Sequence, residues 1–328
     1  MKMRRRGSIT GIVFVVFALA VHVRAQDMPA RYQDVLSRLA RKGDYGDGVL
    51  KVGIPRNDLE ITIGGIKTPT AFGFGGWLGF TAGEGGKDVM MGDLVLLQEE
   101  VNPVMSALLD NGLEVTALHN HFFWDQPHVF YMHVHGHGTP ADLAREVKPA
   151  LDLIGHVQAG NAAGNSESQT TNVPPPPARI LEGNLDRGAL DRIIGKKGDV
   201  IGPVYKYTIG RDDLHLKEMG ALINSRMGLN TWAAFIGGDD NAAVAGDVAM
   251  LEREVTPVLK ALRKHGLDVV AIHHHMTGTK PVIIFLHYWG VGPAATLASG
   301  FRAALDELGG NHGGPGTGMR PHMKEMHK

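Results

Sequence analysis

Residues 112–121 read GLEVTALHNH and residues 266–275 read GLDVVAIHHH, six identities in ten at an offset of 154. A single ten-residue match would mean little, but this one extends in both directions. Lys42-Gly43-Asp44 meets Lys197-Gly198-Asp199, Ile54-x-Arg56-x-Asp58-Leu59 meets Ile209-x-Arg211-x-Asp213-Leu214, and Trp77 meets Trp232. Gly92-Asp93 followed by Glu100-Val101-x-Pro103-Val104 meets Gly246-Asp247 followed by Glu254-Val255-x-Pro257-Val258. Self-similarity at a fixed offset marks a repeated structural unit. The chain is two copies of one module.

The periodicity within each copy predicts two strands, a helix, two strands and a helix. Leu59 to Ile63 and Trp77 to Thr81 read as the first two strands, separated by glycines and Pro69. Leu94, Leu97, Val101, Val104 and Leu108 recur at helical spacing behind Asp93 as N-cap candidate, with Gly112 placed to end the helix. Pro103 either kinks this helix or opens a shorter one capped by Asn102, and Thr256-Pro257 offers the same choice. Val115 to His121 and Val129 to His135 form a hairpin, and Pro140 to Ile154 a second amphipathic helix. The fold class is therefore α+β, a tandem duplication of a ferredoxin-like ββαββα module with antiparallel sheets. Such a sheet hides one face under its helices, so two copies can bury their open faces against each other.

The copies occupy residues 26–155 and 181–308. Between them, residues 156–180 read as a linker, in which the stretch from Ala159 to Pro177 is rich in Gly, Asn, Ser and Thr and ends in four prolines. Residues 309–328 mix Gly, Pro, His and Met without periodicity and read as a mobile tail. Residues 1–25 read as a signal peptide: Lys2, Arg4, Arg5 and Arg6 precede an apolar run from Ile9 to Val21, and Val23-Arg24-Ala25 offers a cleavage site. That run is shorter than the ~20 residues needed to span a bilayer, so no membrane anchor is expected after cleavage. The expected location is periplasmic or secreted.

Composition narrows the chemistry. With 328 residues, 43% hydrophobic and 20% charged, the chain is globular, and with no cysteine it has no disulfide, thiolate site or cysteine nucleophile. Cleavage after Ala25 removes five basic and no acidic residues and takes the formal charge from −1 to −6. No basic stripe is left for nucleic acid. The anomaly is 17 histidines, most of them in two short stretches.

If those stretches are strands, alternation decides which rings can meet. His119 and His121 share a face, and Tyr131, His133 and His135 share one on the returning strand. A turn near Gln126 would set His119 opposite His133, with His121 one step along. The second copy repeats the set as His273, His275 and His287, while Trp289 replaces His135. Neutral imidazoles are good ligands for zinc or copper, so His119, His121, His133, His135, His273, His275 and His287 are the candidate ligands of a divalent transition metal. Glu100, with Glu254 as its counterpart, is the candidate general base or hydrogen-bond partner of a ligand. Asp58 beside Arg56, and Asp213 beside Arg211, fit a strand-edge salt bridge, and Trp77 and Trp232 fit the core. The additional histidines of the first copy point to it as the working site and to the second as reduced.

The segments Gly92-Asp93…Glu100-Val101-Asn102-Pro103-Val104, Ala117-Leu118-His119-Asn120-His121 and Pro127…Phe130-Tyr131-Met132-His133, with their second-copy counterparts, resemble the LppY/LpqO family. The resemblance covers Tyr32 to Leu308 and implies an exported two-domain protein of a family of unknown function. Lipoproteins of that family need a cysteine for lipid attachment; this chain has none, so lipid anchoring is not expected. Two functions fit these observations. One is a metal-binding protein acting as a hydrolase if catalytic; the other is a non-catalytic binding module for a cell-envelope or small organic ligand.

Overall fold

The computed structural model describes residues 27–156 and 178–309; the expected signal peptide, most of the linker and the tail lie outside the described residues. The first half runs α1 (Ala30–Leu39), β1 (Gly43–Gly46), β2 (Val49–Pro55), β3 (Ile61–Ile63), β4 (Ile66–Thr68), β5 (Gly75–Ala82), β6 (Asp88–Leu97), α2 (Gln98–Asp110), β7 (Glu114–His119), β8 (Asp125–Gln126), β9 (Val129–Gly138) and α3 (Pro140–Leu153). The second half repeats it as α4 (Arg187–Ile194), β10 (Asp199–Ile201), β11 (Val204–Gly210), β12 (Lys217–Glu218), β13 (Ala221–Leu222), β14 (Asn230–Gly237), β15 (Ala242–Leu251), α5 (Glu252–Lys264), β16 (Asp268–His273), β17 (Ile283–Gly292) and α6 (Ala294–Asp306).

Each half forms a six-stranded sheet, ordered β1-β2-β5-β6-β9-β7 and β10-β11-β14-β15-β17-β16, antiparallel throughout. The ferredoxin-like part is β5-β6-β9-β7 with α2 and α3, in which the strand preceding the unit supplies the fourth position. The hairpin β1–β2 widens each sheet, and Leu59 to Ile63 contributes only the short β3, which pairs with β4 and β8 outside the main sheet.

One expected helix boundary is corrected. Asp93 does not cap a helix; it sits within β6, and α2 starts only at Gln98. The reason is burial on both faces. All of β15 and nearly all of β6 is buried, so their apolar residues run continuously instead of alternating, and a continuous run running into a helix imitates one long helical stripe. Pro103 lies inside α2 rather than opening it, and Pro257 does the same in α5. Each helix ends where expected: Gly112 and Gly266 adopt φ of 84° and 74°, and the next amide returns to Leu108 and Leu262.

Alternation then assigns the faces. Leu78, Phe80, Met90, Leu94, Met132 and Val134 pack under α1, α2 and α3, and Phe235, Val244, Val248, Leu286 and Tyr288 do so under α4, α5 and α6. The opposite faces meet. Ile61, Phe72, Phe74, Val95 and Tyr131 of the first half share a core with Ala234, Ala243, Ala245 and Trp289 of the second. Val49, Val89 and Met91 share another with Leu216, Ile223, Met227, Ala249 and Phe285. Each excursion between the second and third strands of a half thus covers the other half's sheet. Among the described residues no helix is long and apolar enough to cross a membrane.

Candidate metal centre

Between these two apolar clusters the seam is polar. His133 on β9 and His287 on β17 point into it because their neighbours Met132 and Val134, or Leu286 and Tyr288, point to the helices. His119 and His273 end β7 and β16, and His121 and His275 follow two residues later, beyond the strands. A bulge between Val115 and Ala117 shifts the expected register: His133 faces Ala117, and His119 faces Tyr131. The second half repeats the bulge, pairing Ala271 with His287 and His273 with Phe285.

Six histidines therefore converge, three from each half. They interleave rather than form two separate triads. His119 stacks on His273 with ring centroids 3.8 Å apart, His121 on His287 at 3.4 Å, and His133 lies 4.0 Å from His275. His121 Nε2 is 3.2 Å from His119 Nε2, and His133 Nε2 is 3.3 Å from His273 Nε2. Nitrogens sharing a tetrahedral zinc at about 2.1 Å lie roughly 3.4 Å apart, so these pairs have chelating separations. Two three-histidine sets, His119/His273/His287 and His133/His273/His275, keep their ligand atoms within 4.8 Å of one another, and each draws on both halves. Where the sequence reading expected the first copy alone to carry the site, the geometry brings histidines of both copies together.

The electronics suit coordination. Burial holds His121, His275 and His287 well below the ordinary imidazole range, aided by the neighbouring rings, and brings His133 down to about 4. All are neutral at pH 7. His133 Nδ1–H donates to the Gly92 carbonyl at 3.1 Å, which leaves Nε2 as the lone pair turned to the cluster. Nδ1 of His119, His121, His273, His275 and His287, and Nε2 of His287, are buried with no hydrogen-bond partner. Unpaired buried nitrogens each cost about 1–3 kcal/mol, a cost that an ion taking up imidazole lone pairs would offset.

The remaining expected residues lie elsewhere. His135 Nε2 approaches Glu218 Oε1 at 3.0 Å and is not among the converging rings. Glu100 is engaged at the start of α2: Oε2 takes Arg56 Nη1 at 2.6 Å and the Leu97 amide at 2.7 Å, and Oε1 takes the Gly155 amide at 2.7 Å. Arg56 also binds Asp58 at 2.8 Å, and Arg211 joins Glu254 to Asp213 in the same way. The repeated Arg-x-Asp and Glu-Val-x-Pro-Val motifs are thus two parts of one structural clamp, tying the end of β2 to both flanking helices.

Four charged residues at the seam escaped the sequence reading. Asp93 and Asp247 stand beside His133 and His287 on adjacent strands, with Oδ2 3.9 Å from His121 Nε2 and 3.6 Å from His275 Nε2. Burial raises both carboxyls well above the usual range. Lys51 and Lys206 complete the wall of a cavity of about 360 Å³ that also exposes His121, His275 and His287. Trp77 and Trp232, expected in the core, line this cavity beneath the two lysines, with each Nζ 4.1 and 4.4 Å from its ring centre. The signal that could have found them is the repeat: Lys51 aligns with Lys206 and Asp93 with Asp247.

Comparison with curated proteins gives no match. Among solved structures the chain is similar to PduB, a trimeric bacterial microcompartment shell protein, with 12% identity over 78% of this chain and 86% of that one and a TM-score of 0.17. It is also similar to EtuB from Clostridium kluyveri, with 9% identity over 81% and 89% and a TM-score of 0.19. One family matches both copies, over residues 33–153 and 188–307, the same two stretches whose histidines meet at the seam. The chain therefore belongs, twice over, to the family described as Domain of Unknown Function (DUF1259).

Proposed function

We propose that this protein binds a divalent transition metal, zinc or copper, in the seam between its halves, with His119, His121, His133, His273, His275 and His287 as the ligand pool. The supporting observation is the convergence of six neutral imidazoles, in which Nε2 of His119 and His121 and Nε2 of His133 and His273 lie 3.2 and 3.3 Å apart and other buried ring nitrogens have no partner. A metal ion held by three of these histidines would supply Lewis-acid chemistry, acidifying water and polarising a substrate oxygen. Hydrolysis is accordingly the reaction class we assign. Asp93 and Asp247, buried beside His121 and His275, are better placed than Glu100 to handle a proton. We further place the chain with the exported LppY/LpqO proteins and its site of action in the periplasm or outside the cell.

Elemental analysis of protein purified without a histidine tag tests the metal. About one ion per chain, lost in the His119→Ala, His273→Ala double variant, is the expected result. A metal-free chain whose thermal stability is unmoved by zinc or copper overturns the reading.

A further inference from the structure

The cavity beside the histidines carries two ammonium groups whose role the metal does not explain. Lys51 reaches it from β2 and Lys206 from β11, equivalent strands of the two halves, each lying over an indole. Among the described residues neither forms an ion pair; Lys51 donates to the Arg226 carbonyl at 3.3 Å. Burial brings both down to about 8, and the charge of Lys206 presses Lys51 further in that direction. Two desolvated cations facing one space are mutually repulsive, and a chain gains nothing in stability from that arrangement by itself. A shared anionic partner removes both penalties.

The charge balance of the wall points the same way. With both carboxyls of Asp93 and Asp247 counted as ionised, they balance the two lysines, and the imidazoles are neutral. A divalent ion in the histidine cluster then leaves the cavity positive. Its volume of about 360 Å³ sits at the small end of ligand pockets and admits a compact molecule, not a polymer strand. Trp77 and Trp232 give it flat apolar walls beside the charges.

We infer that this cavity binds a small oxyanion, a carboxylate or phosphate group held between Lys51 and Lys206, and that this group is the acidic handle of the substrate presented to the metal. The second part rests on the metal-binding reading above; the first does not. The sheets hold the two ammonium groups in place before the ligand arrives, so little ordering cost accompanies binding.

Calorimetric titration of the zinc-loaded full-length protein with malonate, and separately with inorganic phosphate, tests both sources of the oxyanion. We expect one or both to bind, and Lys51→Met and Lys206→Met each to weaken that binding about tenfold or more, as losing one charge-assisted hydrogen bond requires. Zinc content should be unchanged in both variants. Lys206→Gln, with a thermal melt, guards against misfolding as the cause. Absence of binding by either anion, or equal affinity in the lysine variants, overturns the proposal. If the chain takes up no zinc, the same titrations on metal-free protein decide: lysine-dependent binding keeps the anion site while the metal reading falls, and no binding removes both.

Discussion

Each histidine of the seam has a counterpart one copy away, but the two three-histidine sets mix the halves unequally and share only His273. His273→Ala is expected to abolish stoichiometric metal uptake, measured by elemental analysis, whereas His119→Ala leaves the His133/His273/His275 set and should weaken uptake without abolishing it; retention in the His273→Ala variant would restore the idea of a self-sufficient first copy. Glu100 behaves differently. Its carboxylate neutralises buried Arg56 and caps α2, so Glu100→Gln should lower unfolding free energy in urea by about 3 kcal/mol while leaving metal content intact. Loss of metal without loss of stability would instead favour its role as a partner of the ligands. The histidine spacing was readable because chemistry-bearing residues repeat at one offset. Asp93 and Lys51 were not, because a lone charge on a strand reveals its facing only when the strand itself is recognised.

At the level of elements, the Gly-Asp pair of β6 and β15 joins the helix-side core to the seam. Gly92 lies under α2 and α3, where an added Cβ would meet Leu78, Val134 and, at 2.7 Å, the Trp77 carbonyl. Gly246 is hemmed in by the Trp232 carbonyl and the Tyr288 ring. Neither backbone carbonyl can yield without displacing the neighbouring strand, so Gly92→Ala and Gly246→Ala should each cost at least about 1–3 kcal/mol in chemical denaturation. The same displacement would move Asp93 or Asp247 on the opposite face of the strand. Strand β9, the hairpin and α3 follow local pattern, and so were legible. Strands β6 and β15 were hidden because residues covered on both faces lose the alternation by which a strand is recognised.

For the whole molecule, enclosing so many uncharged imidazoles makes the metal-free fold sensitive to acid. Below the ordinary value of 6.5 an unfolded chain binds protons that the folded cluster refuses, His133 down to about 4 and the other five further still. Stability is therefore lost as pH falls from 6.5 towards 4. Asp93 and Asp247, raised in the folded state, act with the opposite sign, but they are two groups against six. Urea midpoints of metal-free protein should fall across this range, and a flat profile would mean that the rings are hydrated rather than enclosed. From the amino-acid order alone came the duplication, the α+β class, the helix ends and the identity of the converging histidines, since all depend on local pattern or on comparison of one stretch with another. Only the packed pair of sheets decided that the two histidine sets share one centre and that two lysines and two aspartates border it. Those relations join residues about 150 positions apart across faces that carry no local mark of their partner, and burial between the halves, not sequence spacing, creates the chemistry there.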